Sequence, residues 1–294
     1  MSIQTLGFIG LGTMGEPMCQ HLAQKSGLKV IAYDRQAEPL QRLAALGVGA
    51  CESVDLLTQT ADVIFMALPS GVQVEDVCNN YLLPKARPGQ IIVDLGTSPV
   101  TLTQSLAERF QAKGVRYADA PIARTRQAAQ EGRLSVMVGC DADTFAILEP
   151  LIVCFASDVT HCGNVGAGQV VKILNNMVLV ETVVALSEAI TIARRAGVDG
   201  EMLFKTLMKG SADSFALRNH GMKSVLPENF PERAFSTDYA RKDISYALAL
   251  GDQFGVPLPG ARTADKLLAS ASEKGLGEYY WPVISKVIAA DATQ

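Results

Sequence analysis

"GFIGLGTMGEPM", residues 7–18, decides the reading of the N-terminal half. Gly10, Gly12 and Gly15 stand in GxGxxG spacing, at the end of the apolar run "TLGFIG" and before the helix-forming "PMCQHLAQKS". Glycines there permit a tight strand-to-helix turn and let backbone N–H groups approach a pyrophosphate, which the positive end of the following helix also attracts. A GxGxxG alone is a weak signal. Here the flanking patterns are right on both sides, and Asp34 closes the next apolar run nineteen residues after Gly15. The spacing predicts a dinucleotide site built by Gly10, Leu11, Gly12, Thr13, Met14 and Gly15. Asp34 is suited to accept hydrogen bonds from the adenine-ribose hydroxyls and to repel a 2′-phosphate, which favours NAD. Arg35 beside it is suited to such a phosphate, so NADP stays open, as does a simple turn-starting role for Asp34 in "DRQAEP".

Through about residue 162 the chain keeps this rhythm. "LKVIAYD", "DVIFMALP", "QIIVDLG", "VRYADAP" and "LSVMVGC" read as strands, with helix-length segments such as "PLQRLAAL" between them. Strand and helix in alternation predict a parallel, doubly wound sheet. After "HCGNVGAGQ" the strand pattern stops. Residues 167–196 read as one helix of roughly 45 Å, apolar nearly all round, and helical segments continue to the end. The expected fold is α/β: an N-terminal doubly wound Rossmann domain, residues 1–163, followed by an all-helical C-terminal domain, residues 164–294, joined by the long helix.

Composition narrows the function classes. A chain of 294 residues, 48% of them hydrophobic, is ample for a core, and a formal net charge of −4 without a basic run gives no footprint for nucleic acid or an anionic membrane. Cys19, Cys51, Cys78, Cys140, Cys154 and Cys162 form no CxxC pair, and His21, His161 and His220 have no metal-ligand spacing, so no metal site is expected. Reduced thiols and an N-terminus unlike a signal peptide fit a cytoplasmic chain. Lys172, Asn175, Asn176, Glu181 and Glu188 interrupt the most apolar stretch, which argues for a buried helix of a soluble protein over a membrane span.

Within "GAGQVVKILNN", Lys172 has Asn175 at i+3 and Asn176 at i+4, which brings the three side chains towards one face of the helix. Such groups are costly to bury without partners, so they line a wet pocket, pair with groups remote in sequence, or sit on an exposed helix start. An amine can donate and accept a proton, and its environment can bring its pKa into the working range. Lys172 is therefore the candidate general acid and base.

Four ordered segments, "FIGLGTMGEPM", "DAP" with the loop after it, "GAGQVVKILNN" and "ARKDISYAL", make nearly the whole chain resemble the β-hydroxyacid dehydrogenases, a group that includes 3-hydroxyisobutyrate dehydrogenases and tartronate semialdehyde, succinic semialdehyde and sulfolactaldehyde reductases. The resemblance implies an NAD(P)-dependent enzyme that interconverts a small 3-hydroxy or ω-hydroxy acid and its semialdehyde, in homodimers or homotetramers. It places Lys172 at the family's catalytic lysine and Asn176 at the amide that orients substrate, with Asn175 able to contribute. Leu68, Pro69 and Thr97 fall in segments that line the cofactor, and Lys242 matches a lysine that reaches the active site from the second domain and is counted with the cofactor-binding residues, with a solvated helix-start charge as its alternative.

The loop after "DAP" departs from the pattern. Where most members have Ser-Gly-Gly, this chain has Ala123, Arg124 and Thr125, with donors suited to a carboxylate, phosphate or sulfonate. This resembles the Gly-Arg-Thr of sulfolactaldehyde reductases, and the substrate's acidic end is expected at these three residues. Leu179 and Ala123 differ from those reductases, so a carboxylate remains the broader expectation. Arg124 could alternatively pair with an acid such as Asp119 or Glu131. Two rivals stand beside this reading: a non-catalytic cofactor-binding scaffold and an imine reductase. Lys172 argues against both.

Overall fold

The structure, a computed structural model, describes residues 3–232 and 234–291. The chain divides into two compact units, residues 1–172 and 173–294. The first alternates strands and helices as β1 (Thr5–Ile9), α1 (Gly15–Lys25), β2 (Lys29–Tyr33), α2 (Ala37–Ala44), β3 (Gly49–Ala50), α3 (Val54–Thr60), β4 (Val63–Met66), α4 (Gly71–Val77), α5 (Leu83–Lys85), β5 (Ile91–Asp94), α6 (Val100–Gln111), β6 (Arg116–Asp119), β7 (Ile122–Ala123), α7 (Arg126–Gln130), β8 (Leu134–Gly139), α8 (Ala142–Ile152) and β9 (Ala156–Gly163). A π-helical turn, Cys78–Leu82, joins α4 to α5.

These strands form one sheet in the order β3-β2-β1-β4-β5-β6-β8-β7, with β9 also paired to β8. From β3 to β6 every pairing is parallel. Beyond β6 the sheet is mixed: β6 and β7 run antiparallel to β8, and β8 runs parallel to β9. The central strands are apolar at successive positions because both faces are covered. Phe8, Phe65 and Val93 enter one core, while Ile9, Ile64 and Ile92 enter the other. Each fully buried side chain of this size contributes about 1.5–3 kcal/mol.

β3, β7 and β9 escape the sequence reading. β9, "ASDVTHCG", lies largely exposed, and its polar residues match a half-solvated edge rather than a buried strand.

Helix α9 (Ala167–Arg195) starts in the first unit and continues into the second. It is long and apolar enough by length and composition to cross a membrane, yet only 33% of its most apolar window is buried within the chain. The expectation of a buried helix is therefore met on one side only, because Val171, Leu174, Val178 and Ile192 are exposed at helical spacing. The second unit adds α10 (Gly200–Leu207), a π-helical segment Leu217–Val225, α11 (Thr237–Phe254), α12 (Pro259–Ala271) and α13 (Ile284–Asp291). Its core gathers Val183, Ile190, Phe204, Leu217, Ile244, Leu268 and Trp281. Ser236 caps α11 by accepting from the Tyr239 N–H, and Gly255 ends it at φ +67°.

Candidate active site

Gly10 leaves β1 at φ +92°, a region costly for a side chain, and a Cβ there would lie 2.4 Å from the Ala67 carbonyl oxygen. At Gly15 a Cβ would lie 2.0 Å from the Gly10 carbonyl oxygen, so this glycine lets α1 start against the strand. Gly12 differs: a Cβ there would meet nothing within 4 Å. The chain's own packing therefore demands two of the three glycines, and the third leaves backbone open to an incoming group. Met14, the N-cap of α1, makes no side-chain cap, so an external anion suits the first turn.

A cavity of about 390 Å³ opens beside this loop, lined by Gly10, Leu11, Gly12, Asp34, Arg35, Leu68 and Pro69 together with Tyr33, Ser53 and Tyr81. Seven of the expected cofactor residues thus share one wall. Thr13 and Met14 continue the turn towards Gly15, while Thr97, buried in the loop after β5, is not among the residues that line the cavity. The Asp34 carboxylate accepts from the Leu11 N–H at 2.5 Å and the Gln36 N–H at 2.8 Å. It therefore starts its own turn and also fixes the glycine loop.

Sequence reasoning missed the network that seats the start of α9. Gln169, fully buried, accepts from the Ser98 N–H at 3.0 Å and donates to the Gly96 carbonyl at 2.9 Å. The Ser98 hydroxyl and the Gly96 N–H in turn donate to Asp94. Asp119, the acid of "DAP", accepts from the Gly166 N–H at 2.6 Å and the Gln169 N–H at 2.7 Å. A carboxylate from the end of β6 thus closes the N-terminus of α9, where negative charge is favoured. Burial pushes its pKa up to about 6, and the backbone N–H groups of Gly166, Gln169 and Gly168 pull it down. Gly168 allows the approach, since a Cβ there would lie 2.3 Å from the Met137 carbonyl oxygen.

Lys172 is half-buried one turn beyond Gln169. At 3.6 residues per turn Gln169, Lys172 and Asn176 fall within roughly 60° of one another about the helix axis. Asn175 is exposed and donates to the Asn176 amide oxygen at 3.1 Å. Asn176 is buried and donates to Asp243 at 2.6 Å, and Lys242 Nζ lies 3.2 Å from the other Asp243 oxygen. The Lys242 ammonium also sits 3.8 Å from the centre of the Tyr239 ring. The solvated helix-start alternative for Lys242 does not describe it, because its side chain is only 20% exposed. Asp243, next to Lys242 in "RKD", is the second residue the sequence reading overlooked.

Ala123 ends β7, opposite Ser135 of β8. The Thr125 hydroxyl accepts from the Ala128 N–H and caps α7. Arg124 Nη1 donates to the Arg133 carbonyl and the Ser157 hydroxyl, both at 2.8 Å, and Nη2 pairs with Asp158 at 2.7 Å. The acid partnered by Arg124 is thus neither Asp119, which caps α9, nor Glu131, which pairs with Arg133. Among the described residues no group of three His, Cys, Asp or Glu side chains is placed to hold a metal ion.

A doubly wound sheet whose first turn offers open backbone beside an acid-bordered cavity is the arrangement of a dinucleotide-binding domain. Residues 5–163 match the family described as the NAD binding domain of 6-phosphogluconate dehydrogenase, and residues 166–279 match the NAD-binding region of NADP-dependent 3-hydroxyisobutyrate dehydrogenase. The 2-(hydroxymethyl)glutarate dehydrogenase of Eubacterium barkeri is 32% identical over 96% of this chain and 94% of its own. The 2-hydroxy-3-oxopropionate reductase of Escherichia coli K12 is 32% identical over 92% of each. The solved 3-hydroxyisobutyrate dehydrogenase of Mycobacterium tuberculosis with L-serine superposes with a TM-score of 0.89 at 27% identity, over 98% of this chain and 99% of its own. The chain belongs to the β-hydroxyacid dehydrogenase family and is an NAD(P)-dependent enzyme of the 3-hydroxyisobutyrate dehydrogenase type.

Proposed function

We propose that the enzyme interconverts a 3-hydroxy acid and its semialdehyde, with Lys172 as general acid and base. The names of its relatives share a three-carbon acid unit, oxidised or reduced at C3 and substituted at C2. The observation that carries the reading is the setting of Lys172, half-buried one turn from a helix start that Asp119 and Gln169 hold in place. The nicotinamide, when bound, gives or takes the hydride. In reduction the carbonyl π pair moves onto oxygen and Lys172 Nζ delivers the proton there; in oxidation the amine takes it back. Asn176 and Lys242, tied together through Asp243, orient the substrate, and Asn175 supports Asn176. The loop of Ala123, Arg124 and Thr125 receives the acid end.

The Gly10 to Gly15 turn is assigned to the pyrophosphate, Leu68, Pro69 and Thr97 to the nicotinamide side, and Asp34 to the adenine ribose. The negative Asp34 then favours NAD, although Arg35 shares the wall. Replacing Asp34 by serine is expected to shift the ratio of kcat/KM for NADPH over NADH upward by about tenfold or more. An unchanged ratio removes Asp34 as the discriminator.

Initial rates with 2-hydroxy-3-oxopropionate, methylmalonate semialdehyde, succinic semialdehyde and sulfolactaldehyde test the substrate class. The C2-substituted carboxylates are expected to lead by about tenfold or more in kcat/KM, from roughly 1–3 kcal/mol of pocket fit. A lead for sulfolactaldehyde overturns the assignment in favour of a sulfonate reader. That alternative rests on the Arg124–Thr125 pair, whose side chains are engaged elsewhere. We also propose a cytoplasmic homodimer or homotetramer, supported by the exposed apolar stripe of α9, and light scattering on the assay preparation tests the assembly.

A further inference from the structure

Arg124 stands at φ +87°, and only Glu228 shares a positive φ among the described residues other than glycine. A long side chain in that region persists only where its surroundings over-determine it. Both flanks of Arg124 are tied. Ala123 before it is paired into the sheet with Ser135, and Thr125 after it caps α7. The guanidinium then reaches across β8, from the Arg133 carbonyl that precedes that strand to Ser157 and Asp158 on β9. Ser157 donates to the same Asp158 oxygen at 2.8 Å, which closes the cluster.

We infer that Arg124 is a positioning residue: its fork staples the loop after β7 to β8 and β9, and the substrate's acid end is met by the loop backbone held in this way. Asp158 is the other half of the staple. The inference rests on the assignment of this loop to the acid end, and it reverses the simplest expectation for an arginine in such a loop, that its charge meets the substrate. Two terminal guanidinium nitrogens already donate to three protein acceptors. A charge aimed at substrate would have to leave Asp158, the acid that compensates it here.

The two roles separate in a cycle of Arg124→Ala, Arg124→Gly, Asp158→Ala and the Arg124→Gly/Asp158→Ala double variant, read as KM for 2-hydroxy-3-oxopropionate and succinic semialdehyde and as Tm. For a staple, alanine is worse than glycine, because it loses the fork yet keeps the strained φ. Arg124→Ala is expected to raise KM about tenfold, and Arg124→Gly several-fold less. Asp158→Ala raises KM by up to about fivefold with Arg124 present and has no effect once residue 124 is glycine. Tm follows the same non-additive pattern.

If the guanidinium instead binds substrate, Arg124→Ala and Arg124→Gly raise KM equally, and Asp158→Ala lowers it by freeing the charge. That result overturns the inference, as does additivity of the single changes in Tm. Should neither aldehyde be turned over by the wild type, the substrate assignment fails on its own, and the Tm cycle still decides whether the staple exists.

Discussion

Replacing Lys172 by alanine is expected to lower kcat by about 10²–10⁴-fold while the Kd for NADH, read by fluorescence titration, stays within about twofold. The two readouts part because the glycine turn and Asp34 lie on the wall of the N-terminal cavity, and Lys172 is not among the residues of that wall. Lys172→Arg keeps the charge without an amine that readily gives up its proton, so it is expected to bind substrate better than the alanine variant and to turn over scarcely faster. The pH dependence of kcat/KM gives a third reading, since loss of the general acid and base removes one limb of the profile. A Lys172→Ala enzyme with wild-type kcat would end the proposed mechanism and leave the cofactor assignment standing.

Asp119 is the site of the second large effect, on stability. Substituting alanine strands the buried N–H groups of Gly166, Gly168 and Gln169 without their acceptor, and the expected loss is about 3–5 kcal/mol in urea unfolding at pH 7. The pH dependence has a definite sign. Burial raises the folded-state pKa of Asp119 from 3.8 to about 6, so the native chain holds that proton more tightly than the unfolded chain. Its linked contribution is complete below pH ~4 and is lost as pH rises to about 6, a change of roughly 3 kcal/mol. Wild type should therefore exceed Asp119→Asn in stability by more at pH 4 than at pH 7. A flat difference across that window means that Asp119 titrates as it does in the unfolded chain.

Local patterns carried the reading of the first unit. The glycine turn declared itself through spacing and flanking apolar runs, and β1, β2, β4, β5, β6 and β8 are short apolar segments between turn residues. The long helix was legible because its apolar content persists for eight turns. What escaped depends on neighbours distant along the chain. β9 is recognisable as a strand only beside β8. Asp119 meets Gln169 across 50 residues, and Asn176 meets Asp243 across 67. No periodicity encodes such pairs, although each residue lay inside a segment already marked for its motif. Arg124 shows the same limit, because its pair with Asp158 spans 34 residues and no local pattern announces it.

The capping of α9 by a residue from the sheet also changes what its first turn does in solvent. The amide protons at the start of a helix normally exchange freely, since fraying of one turn exposes them. Those of Gly166 and Gln169 are bonded to a fully buried carboxylate, so local fraying does not release them. Their exchange should follow openings that separate β6 from the helix, with protection like that of the central strands. The turn that leads into Lys172 should therefore belong, in its deuterium uptake, to the slow core.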